Sequence, residues 1–184
     1  IRDRAYSQLL EVLGYNDEFA ALIEIPVFQH KLELIEDHFN SKKTFVEKLL
    51  FFVIVIENSS LFSQFANILS FTNFKGWMRN TSNIIAWTSI DEQTHADAGV
   101  YLLTEIFKEH PELRPSQEVV EQTVKAYLEY EVELLNWIYE EGELSFFTKQ
   151  NLLDFMKYRV DTSLAQLGYN KIYNCLLYTS LMAR

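Results

Sequence analysis

The residues best suited to chemistry in this 184-residue chain lie in the segment Asp91-Glu92-Gln93-Thr94-His95. Glu92 and His95 are three positions apart in a segment predicted to be helical, so their side chains project from the same face. A carboxylate and an imidazole at this spacing can bind one metal ion together. A solvated glutamate–histidine pair on a helix surface is the alternative that the motif alone leaves open.

A second acidic residue, Glu57, directly follows the apolar run at residues 49–56. Because that run covers every face of a helix, Glu57 is predicted to be at least partly buried. A buried carboxylate needs a partner such as a metal ion, a base or a proton, because an unpaired buried charge is costly. The alternative is that Glu57 lies on the one solvated stripe of its helix, beside Asn58 and Ser59.

The helices that carry Glu57 and Glu92 are separated by one turn near Gly76. Two antiparallel helices of this length would bring the two carboxylates level with each other. Together with His95 they would form an oxygen-rich site suited to iron or manganese. Glu-x-x-His on a bundle helix is also a recurrent ligand unit of two-metal carboxylate proteins.

Helices are predicted along the whole chain, because strand signals are weak and only five Gly and three Pro interrupt it. The apolar periodicity therefore predicts an all-α bundle of long antiparallel helices. No repeat or linker divides the chain, so one domain is expected. The predicted helices cover residues 1–13, 18–24, 27–39, 42–71, a segment from about 82 to 110, 116–141 and 145–167.

Composition excludes several classes of protein. The formal net charge of −10 argues against a nucleic-acid-binding protein, which would need a basic face, and fits a soluble cytoplasmic protein. The longest apolar run, residues 49–56, is too short to span a bilayer, which needs about 20 residues. The single cysteine, Cys175, excludes an intrachain disulfide. Neither a nucleic acid nor a membrane is therefore expected as a partner.

In combination these features resemble the small subunit of class I ribonucleotide reductase. The family segment Glu-x-Ile-His-x-Arg-(Ala/Ser)-Tyr-(Ser/Thr) is similar to the start of the chain, Ile1-Arg2-Asp3-Arg4-Ala5-Tyr6-Ser7. The family's closing leucine-glycine-aromatic segment is similar to Leu-Gly-Tyr-Asn-Lys-Ile-Tyr at 167–173. The resemblance covers residues 1–174 in consistent order. It implies a ferritin-like helical bundle whose two-metal site generates a tyrosyl radical, which the large subunit uses to reduce ribonucleotides to deoxyribonucleotides.

The resemblance also implies a ligand set. Glu57, Glu92 and His95 would be metal ligands for two ions, with iron expected first and manganese as the alternative. The family's other carboxylate ligands would lie upstream of Ile1, and so would the tryptophan of its radical-transfer path. At the histidine ligand of the family's first Glu-x-x-His this chain has Arg2, whose guanidinium cannot ligate a metal. Arg2 reflects either a sequencing error or a divergent subunit with altered metal chemistry, and an error is the favoured explanation.

Further roles follow from the same resemblance. Tyr6 would hold the stable radical, and Asp91 would link the metal-bound histidine to the radical-transfer chain. Leu61 and Phe65, one and two helical turns after Glu57, match the apolar pocket that shields the radical. A core tyrosine that hydrogen-bonds a nearby group is the alternative for Tyr6.

Two rival interpretations remain open. One is another ferritin-like two-metal enzyme, such as an oxidase that attacks an organic substrate. The other is a metal-free, non-catalytic paralogue, which Arg2 would favour. The resemblance implies a homodimer that works with the large subunit, and this chain alone is expected to be inactive.

The last ten residues are expected to be foreign to the protein. The stretch from Cys175, Cys-Leu-Leu-Tyr-Thr-Ser, resembles the translation of a transposon-derived sequencing adapter. Residues 175–184 are therefore predicted to be adapter read-through, and residues 1–174 to be part of one two-metal domain. An ordinary apolar C-terminal segment is the alternative.

Overall fold

A computed structural model describes the backbone of residues 2–175 and the side chains of residues 4–175. The chain divides into two compact units, Ile1–Lys42 and Lys43–Arg184. The described residues are almost wholly helical, with one isolated β-bridge between Leu144 and Phe147 and no strand. The all-α prediction is confirmed. The adapter prediction falls on residues that, except for Cys175, lie outside this description.

The first unit contains three α-helices and a 3₁₀ turn. Gly14 stops the first helix in the left-handed backbone region, at φ 73°. Pro26 occupies the first position of the third helix, where its missing N–H is not needed. The helices are α1 (Arg2–Leu13), α2 (Asn16–Ala21), the 3₁₀ turn Leu22–Glu24, and α3 (Pro26–Asn40).

The second unit is a bundle of long helices. Its described elements are α4 (Phe45–Phe51), a π-helical segment (Phe52–Ser60), α5 (Leu61–Lys75), α6 (Arg79–Glu109), the 3₁₀ turn Pro111–Leu113, α7 (Gln117–Ile138) and α8 (Lys149–Gln166). The first three run without interruption as one stretch. The π-helical segment packs against α6, α7 and α8 and so lies at the centre of the unit.

Local sequence explains where the central stretch begins and ends. The Thr44 side chain accepts a hydrogen bond from the Glu47 backbone N–H, and the Glu47 carboxylate accepts one from the Thr44 N–H, which forms a capping box. The stretch therefore begins at Phe45 rather than at the predicted residue 42. Gly76 ends it with φ 69°, and the short turn that follows reverses the chain into α6.

The stretch Phe45–Lys75 is long and apolar enough to cross a membrane by length and composition, with a mean hydropathy of 1.6 in its most apolar window. However, 67% of that window is buried inside the protein, as in the core helix of a bundle. One apolar core cluster packs α5, α7 and α8 together. Its buried members are Ala66, Leu128, Leu135, Tyr139, Phe147, Leu152, Phe155 and Met156.

Candidate metal centre

The π-helical segment gives Glu57 its position. Four consecutive β-branched residues, 53–56, precede Glu57, and such residues crowd the turns of an α-helix. The backbone N–H of Leu61 donates to the carbonyl of Ile56, five residues earlier, as a π-helix requires. The side-chain amide of Asn58 donates to the Val53 carbonyl at 2.9 Å. The widened turn therefore sits at the level of the candidate ligand, as π-helical turns in functional sites often do.

The structure brings together the three side chains that were predicted as ligands. One potential ligand atom from each of Glu57, Glu92 and His95 lies within 4.8 Å of the others. Glu57 is 6% exposed and Glu92 is 8% exposed, so the solvated-stripe alternative for Glu57 is wrong. The His95 Nδ1 lies 3.0 Å from the Glu92 Oε2, and the His95 side chain is about half exposed.

This donor set fits a metal ion. Carboxylates and an imidazole are the ligands that iron and manganese take from proteins. Donor atoms that bind one ion at about 2.1 Å lie no more than about 4.2 Å apart. Small side-chain rotations would therefore bring the three donor atoms, now within 4.8 Å of one another, into binding distance of a single ion. Two carboxylates held together in a buried site repel each other, and a cation between them would offset that cost. Glu57, Glu92 and His95 are therefore suited to hold the metal.

The antiparallel pairing of the π-helical segment with α6 sets the spacing of the candidate ligands. Gly99 lies one turn after His95 and faces Val53, one turn before Glu57. A Cβ atom at position 99 would overlap the Val53 Cγ2 methyl, and Val53 is buried. The missing side chain of Gly99 thus allows the two helices to approach closely beside the ligands.

Replacing Gly99 with Ala is expected to destabilise the protein by about 1–3 kcal/mol through overpacking, partly offset by alanine's better helix propensity. The free energy of unfolding from urea titration would measure the loss. In a Val53→Ala background the same substitution should cost less, because the overlapping methyl is gone. An equal cost in both backgrounds would mean that the Gly99–Val53 contact does not set the helix spacing.

Asp91, Tyr6 and the predicted pocket residues lie on three different helices. Asp91 is exposed on α6, immediately before Glu92. Phe65 is buried on α5, and Leu61 is partly buried one turn nearer to Glu57. Tyr6 is partly buried on α1, in the first unit. The roles predicted for Asp91 and Tyr6 stay predictions, and the side chain of Arg2 lies outside the described residues.

Three residues beside the candidate ligands were not predicted to have a part in the site. Asn58 and Gln93 directly follow Glu57 and Glu92, and Arg159 of α8 hydrogen-bonds to both. Burial lowers the pKa of Arg159, but an arginine remains charged at neutral pH because its ordinary pKa is so high. An arginine between apolar positions of α8, Met156 and Val160, was the one available signal in the sequence.

Glu131 is a further buried carboxylate that is not part of this cluster. Glu131 of α7 is fully buried and accepts a hydrogen bond from the Ser60 hydroxyl at 2.8 Å. The Tyr127 hydroxyl donates to the same Ser60 oxygen at 3.2 Å. Burial, followed by the charge of Glu131, strongly raises the pKa of Tyr127, which keeps the phenol neutral. This network joins the π-helical segment to α7.

An all-helical bundle with a carboxylate–histidine cluster on adjacent antiparallel helices is the arrangement that two-metal carboxylate proteins share. Within that class, the family model for the small chain of ribonucleotide reductase matches residues 1–176. The chain therefore belongs to the ribonucleotide reductase small chain family, as the sequence resemblance predicted.

Two viral proteins named as ribonucleoside-diphosphate reductase small subunits are similar to the chain. The relative from Invertebrate iridescent virus 3 is 26% identical over 130 residues, which is 69% of this chain and 34% of the relative. The relative from Invertebrate iridescent virus 6 is 27% identical in an alignment 210 positions long, which covers 92% of this chain and 58% of the relative. The chain thus spans about one third to three fifths of these relatives.

Solved structures show the same fold. A class I ribonucleotide reductase from Bacillus halodurans superposes with a TM-score of 0.82 at 22% identity, over 94% of this chain and 65% of that one. A ribonucleotide reductase homodimer from Saccharomyces cerevisiae gives 0.77 at 19% identity, over 97% and 56%. The ferritin-like fold that was predicted is confirmed.

Proposed function

We propose that this chain is part of the radical-generating small subunit of a ribonucleoside-diphosphate reductase. The observation that carries the proposal is the convergence of Glu57, Glu92 and His95 on adjacent helices, in a chain of this family. Two ions per chain are expected, iron first and manganese as the alternative. When bound, the metal pair supplies the oxidation of a tyrosine by O₂ or a related oxidant.

The residues of the chain have distinct parts in this scheme. Glu57 and Glu92 hold the metal with buried carboxylates, and the half-exposed His95 provides the nitrogen ligand. Leu61 and Phe65 make the apolar surroundings that protect a radical from reductants. Tyr6 is the residue oxidised, losing one electron and its phenolic proton. Asp91 connects His95 to the path by which the oxidising equivalent leaves the subunit.

The partners follow from the same proposal. The intact subunit forms a homodimer and passes its oxidising equivalent to a large subunit, which reduces ribonucleotides to deoxyribonucleotides. It works in the cytoplasm, without nucleic acid or membrane as a partner. By the family resemblance, the other carboxylate ligands would lie upstream of Ile1, and the other histidine ligand aligns with Arg2.

We predict a stable tyrosyl radical at Tyr6. The full-length gene product that contains this chain would be loaded with ferrous iron, exposed to O₂ and followed by electron paramagnetic resonance. The wild type should give a tyrosyl signal that decays slowly, and Tyr6→Phe should abolish it while retaining the metal. Tyr15→Phe is the control, because Tyr15 is an exposed tyrosine of the same unit.

The outcomes separate the rival functions. A wild type that binds iron and consumes O₂ without a lasting tyrosyl signal would instead be an oxidase acting on an organic substrate. A signal that persists in Tyr6→Phe would place the radical on another tyrosine. A clean full-length gene with arginine at position 2 and no metal in its product would favour the non-catalytic paralogue.

A further inference from the structure

Arg159 of α8 bridges the two helical segments that carry the buried carboxylates. Its Nε donates to the backbone carbonyl of Asn58 at 2.7 Å, and its Nη2 donates to the Asn58 Oδ1 at 3.0 Å. The same Nη2 also donates to the Gln93 Oε1 at 3.1 Å. Asn58 directly follows Glu57 on the π-helical segment, and Gln93 directly follows Glu92 on α6. One guanidinium therefore links the residues next to both acidic ligands.

The guanidinium is held in a fixed orientation. Its central carbon lies 3.9 Å from the centre of the Phe62 ring, a stacking contact that arginine favours. The Gln93 side-chain nitrogen donates to the Asp97 carboxylate at 2.9 Å, which leaves the Gln93 oxygen to accept from Arg159. Because the guanidinium is planar and its donors are rigidly arranged, it constrains the relative rotation of its acceptors as well as their distance.

We propose that Arg159 is a positioning residue for the metal centre, which sets the separation and rotation of the π-helical segment and α6 at the level of Glu57 and Glu92. This inference rests on the proposed function, because it requires that the cluster bind metal. Arg159 touches neither ligand directly and acts through Asn58 and Gln93. Residues that orient ligands in this way commonly tune metal affinity by roughly 10- to 100-fold.

A purely structural role predicts a different result. An arginine that only attaches α8 to the bundle would lower the melting temperature when replaced and leave the intrinsic metal affinity of the folded protein unchanged. Arg114 provides a matched control of that kind. It lies over the Phe107 and Tyr169 rings and donates to the Leu167 carbonyl at 2.8 Å.

The test is a titration of the metal-free, full-length gene product with Co²⁺, followed by visible absorption, which reports both affinity and ligand geometry. Arg159→Met keeps an unbranched stem over Phe62 but removes every donor. It should weaken Co²⁺ binding by roughly 10- to 100-fold and alter the absorption spectrum. Arg159→Lys keeps the charge without the planar fork and should recover part of the affinity. Arg114→Met should bind Co²⁺ like the wild type.

Each outcome decides a separate question. If Arg159→Met and Arg159→Lys both bind Co²⁺ with wild-type affinity and spectrum, the positioning role is wrong while the metal site stands. If Arg159→Met does not fold, the Lys variant alone decides, because a normal affinity and spectrum would overturn the inference. A wild type that binds no Co²⁺ would overturn the proposed function and the positioning role with it.

Discussion

Replacing Glu57 with Gln should remove most of the metal-binding capacity of the full-length subunit. The substitution keeps the shape of the side chain but eliminates one of the two negative charges that are buried in the cluster. Loss of a residue that only orients a ligand already lowers metal affinity by roughly 10- to 100-fold. Loss of a ligand itself should therefore lower the affinity by more than that. Metal content after loading and desalting, together with a Co²⁺ titration, would measure the effect.

Glu131→Gln is the matched control for Glu57→Gln. Glu131 is also a fully buried glutamate, and its hydrogen bond from Ser60 can be kept by the amide oxygen of glutamine. Its metal binding should equal that of the wild type, even if the free energy of unfolding changes. Equal metal content in wild type and Glu57→Gln would mean that Glu57 is not a ligand.

Replacing Asp161 with Ala should cause the largest loss of stability that can be assigned to one polar side chain. Asp161 is buried on α8, and its Oδ1 accepts from the backbone N–H groups of Ile172 and Tyr173 at 2.9 and 3.0 Å. Its Oδ2 accepts from the Cys175 N–H at 3.0 Å. Hydrogen bonds to a charged group are stronger than neutral ones, and an unsatisfied donor carries its own penalty.

The expected loss for Asp161→Ala is about 3–5 kcal/mol in the free energy of unfolding, measured by urea titration. Asp161→Asn should lose less, because its amide oxygen can still accept from Ile172 and Tyr173. The control is Asp154→Ala, because the partly buried Asp154 side chain accepts an i,i+4 hydrogen bond from the Gln150 amide at 2.8 Å and no backbone N–H bond like those of Asp161 is recorded for it. It should cost about 0.5 kcal/mol or less. Similar losses in Asp154→Ala and Asp161→Ala would contradict an anchoring role for Asp161.

The proximity of Glu57, Glu92 and His95 could be predicted because its signals are local. Helical periodicity puts Glu92 and His95 on one face, and a single short turn at Gly76 makes the neighbouring helices antiparallel. The burial of Glu57 followed from the apolar run before it. Each of these predictions needed only residues that are close in sequence or on helices joined by one turn.

Other features depend on contacts that local patterns do not encode. Arg159 reaches Asn58 and Gln93 across sequence separations of 101 and 66 residues, and no periodicity predicts such a meeting. The π-helical segment was predicted as ordinary helix, because one additional residue per turn hardly changes an apolar pattern. The predicted helix start at residue 42 was wrong because the capping box of Thr44 and Glu47 sets the start at Phe45.

The central claim is that the full-length gene product containing this chain holds a two-metal centre that includes Glu57, Glu92 and His95. Elemental analysis of the purified protein by mass spectrometry, after loading with iron or manganese and removal of free metal, tests it most directly. We expect two ions per chain in the wild type and a clear deficit in Glu57→Gln. A folded wild type that retains neither metal would contradict it.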